Sequence, residues 1–126
     1  TMSPVRNWDR IGASHPDHMA AAEATVQAIY PDARNQFAHP SLMNDEGLGE
    51  WHVAELWMFG SPTPNTYVDV TDHIEDKLKA LRAHVSQTEH MEDLEGMIRG
   101  WMTQSAQRGG LPEGRLAEMF HAVRTA

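Results

Sequence analysis

Met19, Ala22, Val26 and Ile29 recur at helical spacing, and Pro31 closes the run, so the pattern predicts a helix from Ser14 to Tyr30. Ser14 is the expected N-cap. Pro16 removes a backbone donor that a first turn cannot use, and Asp17 faces the positive end of the helix dipole. The same period returns in Ile74, Leu78, Leu81 and Val85 behind Asp72 and Glu75, which read as a capping box, and predicts a helix to about Gln87. Leu94, Ile98, Trp101 and Met102 set another helix within Met91 to Gln107, ended by Arg108-Gly109-Gly110. Pro112 then opens an expected last helix carrying Leu116, Met119, Phe120 and Val123.

Between these helices the period changes. His52 to Phe59, HVAELWMF, is apolar on both faces, as expected of a strand buried between helix layers, and Thr66 to Thr71, TYVDVT, reads as a shorter strand rich in β-branched residues. The stretch Gly60-Ser61-Pro62-Thr63-Pro64-Asn65 separates them. Residues 1–14 read as a loop carrying Arg6, Trp8 and Arg10. Asp32 to Gly49 has no clean period and is expected to be irregular with one short turn of helix, anchored by Phe37 and Leu42. The fold class is therefore α/β. Two strands do not make a stable sheet, so the rest of the sheet is expected from a further piece of polypeptide or another copy of the chain, and an oligomer is the expected state.

Composition narrows the function classes. With 126 residues the chain is one domain or part of one. A formal net charge of −8 argues against binding to nucleic acid or to an anionic membrane. There is no cysteine, so a metal here must be held by imidazole and carboxylate, with zinc the first candidate. No apolar run approaches the ~18 residues of a membrane span, and no secretory leader pattern opens the chain. The expectation is a soluble, cytoplasmic protein.

His15-Pro16-Asp17-His18 places two imidazoles and a carboxylate at a helix start, which is the composition of half a metal site. Residues three apart lie on neighbouring helix faces, so both imidazoles can serve one cavity while Asp17 orients one of them. The plainer reading is a helix start in which Pro and Asp are simply favoured. His84, at the edge of an apolar stripe, reads as a half-buried histidine, and His73 and His90 fall at helix ends. Gly96 and Gly100 form a small-x3-small pair of the kind that packs helices closely, and the methionines read as core filling.

The segment SPVRNWDRIGASHPDHMAAAEAT, followed by VDVTDHIEDKLKALRAHVSQTEH, resembles the C-terminal half of the LmbE/PIG-L family, zinc-dependent de-N-acetylases of N-acetylglucosaminyl and related amides. Its most specific pieces are His15-Pro16-Asp17-His18 with the small-residue helix behind it, and Lys77, Leu81, His84, Ser86 and Gln87. The family's HPDDE-type motif, which supplies two zinc ligands and the carboxylate taken as general base, is absent from these residues.

The resemblance implies a Rossmann-like three-layer α/β/α fold. Residues 1–126 would be the C-terminal part of a single deacetylase domain, with about two strands and four helices, completed by a missing N-terminal half or another copy of the chain. It further implies a Zn2+ cofactor bound in part by His18. His15 would stabilise the tetrahedral intermediate or protonate the leaving amine, with Asp17 as its orienting partner. The implied substrate is a small-molecule N-acetylated sugar conjugate, and these residues alone would be catalytically poor. Arg6, Trp8 and Arg10 resemble the family's variable approach to the site, where an arginine touches an anionic or polyhydroxylated substrate; the other reading is a solvated loop. His84 would lie behind the active site in a supporting role, and selectivity would reside partly in residues 32–49. The rival function is a non-enzymatic helical module in which His15–His18 is only a helix start and an acidic surface docks a protein.

Overall fold

The computed structural model describes residues 1–125, except for the side chain of Ala13, and shows a mixed α/β fold. The elements are α1 (Pro16–Ile29), α2 (Pro40–Asn44), β1 (Glu55–Met58), β2 (Thr66–Asp69), α3 (Ile74–Arg82), α4 (Val85–Thr88), α5 (Leu94–Arg108) and β3 (Ala117–Arg124). The strand order is β1-β3-β2. The chain divides into two compact units, Thr1–Asn65 with Phe120–Ala126, and Thr66–Met119.

In the first unit α1 has the predicted stripe: Ala22 is buried, and Met19, Val26 and Ile29 are half-buried beside it. Its cap differs from expectation. Proline's fixed φ suits the first helical position, so the helix begins at Pro16 and the cap is His15, whose Nδ1 accepts the Asp17 N–H at 3.3 Å. Ser14 is buried with its Oγ accepting the Asn7 N–H at 2.9 Å. β1 pairs antiparallel with the end of β3, Leu56 opposite Val123 and Met58 opposite His121. It is not buried on both faces: Leu56 is buried, while Glu55 and Trp57 are exposed. Trp57 donates its indole N–H to Glu55 Oε2 at 2.9 Å and packs on the Phe120 ring at 5.4 Å, an ordinary arrangement for a strand with one wet face. Residues 1–3 are more than loop, since Met2 forms a parallel bridge with Phe59 and the Ser3 N–H reaches the Phe59 carbonyl at 2.8 Å.

The second unit holds the larger core. Ile74, Leu78, Leu94, Ile98, Met102 and Leu116 cluster there, with Val70, Leu81, Met91 and Met97 packed against them. Val85 does not join this stripe; it is exposed because α3 stops at Arg82 and α4 starts separately. Nor does the expected capping box form. Thr71–His73 is a 3-10 turn, and His73 caps α3 without a side-chain bond. The local anchor is Asp69, whose Oδ1 accepts both the Thr71 N–H and the Thr71 hydroxyl, and this hydroxyl bond is the first cause holding the carboxyl below its ordinary pKa. Glu75 instead meets Arg99 at 2.6 Å. Arg99 also bonds Glu95, and with Arg82 it keeps the Glu95 carboxyl below the usual range.

α5 is capped by Asp93, whose side chain accepts the Gly96 N–H at 2.9 Å. A Cβ at Gly96 would lie 2.1 Å from Asp93 Oδ2, so this glycine serves the cap, and Gly100 has open space beside it; neither packs a helix closely. The largest correction is at the C-terminal end, where the expected last helix is β3. Leu116, Met119, Phe120 and Val123 have helical spacing, yet Gly114 turns the chain at φ +81 and the waiting edge of β1 offers a ladder of backbone partners. Lys77, one of the residues that carry the family resemblance, pairs with Glu118 of β3.

Leu78 has no exposed surface. Leu78→Ala is expected to destabilise the fold by about 2–5 kcal/mol through lost transfer energy and a cavity. Urea unfolding at unchanged slope measures it, with Val85→Ala as the near-neutral control.

Candidate active site

The candidate site is built on the first turn of α1 and the loop before it. Asn7 Oδ1 accepts the Asp9 and Arg10 N–H groups, both at 3.1 Å, and its backbone N–H is held by buried Ser14. The Ser14 N–H in turn reaches the Ile11 carbonyl at 2.8 Å. This folded loop ties the residue before Trp8 to the residue before His15. Trp8 stands 78% exposed at its tip with the Arg6 guanidinium 5.6 Å from the ring centroid.

His15 and His18 lie with ring centroids 5.8 Å apart and planes at 57°. Because His15 Nδ1 accepts the Asp17 N–H, the neutral imidazole carries its proton on Nε2, pointing a donor away from the helix. The Asp17 carboxylate is 3.8 Å from the same Nδ1, an ion-pair distance once the ring is protonated and too long for a hydrogen bond. His15, Asp17 and His18 are all exposed.

The donor set is incomplete for a metal. Among the described residues no group of three His, Cys, Asp or Glu side chains is placed to hold an ion. His84 lies in the second unit and is exposed rather than half-buried; its carbonyl accepts the Gln87 and Thr88 N–H groups. Among the described residues no helix is long and apolar enough to cross a membrane.

Sequence reasoning missed three features. His121 of β3 sets Nδ1 against the Thr63 carbonyl, a contact hidden because β3 reads as a helix. Arg34 donates to the Thr125 carbonyl and stacks over Tyr30, at 5.6 Å from the ring centroid. His39 lies 3.5 Å from the Asp32 carboxylate at the edge of a cavity, and no period in residues 32–49 signals it. Phe37, an expected anchor of that segment, is 77% exposed.

A curated relative from Saccharopolyspora erythraea, a 1D-myo-inositol 2-acetamido-2-deoxy-alpha-D-glucopyranoside deacetylase, is 38% identical over 91 residues, covering 60% of this chain and 30% of the relative. A diacetylchitobiose deacetylase of Thermococcus kodakarensis is 32% identical over 73 residues, 58% of this chain and 27% of the relative. Among solved structures, an N,N'-diacetylchitobiose deacetylase from Pyrococcus horikoshii, complexed with its inhibitor, superposes with a TM-score of 0.77 at 26% identity, covering 98% of this chain and 44% of that one. This chain is similar to part of these deacetylases.

No protein-family model matches it. The chain spans 30% and 27% of the length of these two curated relatives, and 34% of a third, from Actinosynnema mirum, that is 31% identical over 97 residues. Of the solved deacetylase it spans 44%. The likeness is thus to part of a larger deacetylase fold.

Proposed function

We propose that this chain contributes the His15-Pro16-Asp17-His18 portion of the active site of a zinc-dependent N-deacetylase acting on N-acetylglucosaminyl-type amides. The observation that carries the reading is the likeness of the chain to three curated deacetylases and one solved deacetylase. The rival helical module accounts for a helix start but not for that likeness.

His18 fits one position of a zinc site by its chemistry, and the described residues do not complete the set. The missing donors are assigned to polypeptide outside these residues, either a preceding half of the domain or a second copy of the chain. When bound, zinc would supply Lewis acidity and an activated water. In its neutral form His15 holds a proton at Nε2, placed to stabilise an oxyanion; as the imidazolium it would instead give the Nε2 proton to a departing amine nitrogen and return to the neutral ring. Asp17 holds the neutral ring through its backbone N–H; in the imidazolium, whose Nδ1 is itself a donor, its carboxylate would take over as the partner. Trp8 and Arg6, on the loop tied to Ser14, would form the approach to this site and meet a polyhydroxylated or anionic substituent.

Acetate release from a panel of N-acetylglucosamine conjugates, by the protein carrying this chain, tests the reading. Release that a chelator stops and zinc restores supports it; no release from any member of the panel overturns it. The 126-residue chain alone is expected to bind zinc no tighter than micromolar, being at least two ligands short of a catalytic centre. Competition against a chromogenic chelator measures this, and submicromolar affinity centred on His18 would contradict the assignment of donors elsewhere.

A further inference from the structure

Serine is among the best residues for starting a helix and histidine is not, yet α1 starts on the histidine. The His15 backbone is extended at φ −58 and ψ 139, its carbonyl accepts the Met19 N–H at 3.0 Å, and its Nδ1 accepts the Asp17 N–H. Pro16 sets where the helix begins but does not hold the imidazole. The cap bond, at 3.3 Å, is at the weak end of hydrogen-bond lengths, and His15 is exposed, so no packed wall confines the ring. Its orientation has to come from the backbone that enters the cap.

That backbone is held by the neighbouring serine. Ser14 is buried; its N–H reaches the Ile11 carbonyl at 2.8 Å, and its hydroxyl, the natural cap for this helix, is turned away to accept the Asn7 N–H at 2.9 Å. Asn7 is tied in turn, because its Oδ1 takes both the Asp9 and the Arg10 N–H groups and so folds the chain back over residues 7–10. Residues 8–13 are therefore a short loop clasped at its base by Asn7 and Ser14. Trp8 and Ile11 on this loop are exposed, so it is not built around a core of its own, and its bonds converge on the residue before His15. A capping hydroxyl diverted from its helix, beside an imidazole at a position it does not favour, breaks a local rule next to the candidate chemistry.

We propose that Asn7 and Ser14 are positioning residues for His15: their clasp fixes the backbone entering the N-cap, which keeps Nδ1 on the Asp17 N–H and the proton of the neutral ring on Nε2. The use made of that proton rests on the proposed deacetylase reading; the clasp itself does not. Once the clasp is loosened the exposed imidazole rotates and exchanges tautomers, and it spends only part of its time in the arrangement the reaction needs.

The test uses the protein that carries this chain and three variants, Ser14→Ala, Asn7→Ala and Asn7→Asp. Ser14→Ala removes the hydroxyl and Asn7→Ala the side-chain acceptor, whereas Asn7→Asp keeps an oxygen for the Asp9 and Arg10 N–H groups. Both disruptive variants are expected to lower kcat about ten- to hundredfold, the scale of a slight misplacement of a reacting group, at unchanged KM and zinc content. Asn7→Asp should recover most of that loss. Nitrogen-15 spectra of labelled histidines at alkaline pH, with His15 identified by its disappearance in His15→Ala, should show one Nε2–H tautomer in the native protein and in Asn7→Asp, and a mixture in the other two. Unchanged kcat in both disruptive variants, equal losses in Asn7→Ala and Asn7→Asp, zinc loss accompanying the fall, or a single tautomer throughout would overturn the proposal. Should Ser14→Ala fail to fold, the two Asn7 variants decide on the same readings. The spectra read no turnover, so failed deacetylation leaves the clasp testable, and an unchanged tautomer leaves the deacetylase reading standing.

Discussion

On the proposed function, His18→Ala in the protein that carries this chain is expected to lose its zinc together with nearly all turnover. A catalytic zinc is held by three protein ligands with a fourth position open, so removing one ligand removes both the Lewis acid and the activated water rather than weakening either by degrees. The expected loss exceeds that of any other single substitution at the site. His18 is exposed on the first turn of α1, so its truncation leaves no cavity and exposes no buried polar group. Thermal unfolding of the metal-free protein should therefore be unchanged, which separates ligand loss from misfolding. Zinc content by elemental analysis and acetate release are the measurements. A His18→Ala protein that keeps its zinc and its rate would remove His18 from the metal site.

The parts of the fold legible in sequence are those whose burial follows one period for several turns. α1 shows its stripe in Met19, Ala22, Val26 and Ile29, and α5 shows its own in Leu94, Ile98 and Met102. β3 escaped that logic because its apolar positions fit a helix as well as a strand, and the deciding interaction, pairing with Leu56 and Trp57, lies more than sixty residues away. Caps misled for a related reason. Ser14 and Asp72 are good capping residues, but Pro16 set the start of α1 at a different residue, and Asp69 took over the turn before α3. The candidate site was readable because His15, Asp17 and His18 are contiguous, so one turn of helix suffices to bring them together. The cavity of residues 32–51 was not, since hydrogen bonds such as Trp51 to Ala33 assemble it without any repeating pattern of side chains.

His15→Ala should separate from His18→Ala by keeping the metal. The residue is proposed to act at the scissile amide through the Nε2 proton, a position fixed because Nδ1 is already occupied by the Asp17 N–H. Removing a positioned acid or oxyanion stabiliser costs on the order of 10²- to 10⁴-fold in turnover while leaving zinc stoichiometry intact. His15→Gln, whose amide can donate but cannot deliver a proton, should recover part of the loss if oxyanion stabilisation dominates and none of it if protonation of the leaving amine does. Asp17→Asn is expected to be milder than either. The backbone N–H that holds the ring survives the change, and the lost carboxylate stood 3.8 Å from Nδ1 on a side chain 87% exposed, where solvent screens it. Rates and zinc content for these three variants decide the assignment: equal zinc loss in His15→Ala and His18→Ala would end the division of roles, and wild-type turnover in His15→Ala would place the reacting amide elsewhere.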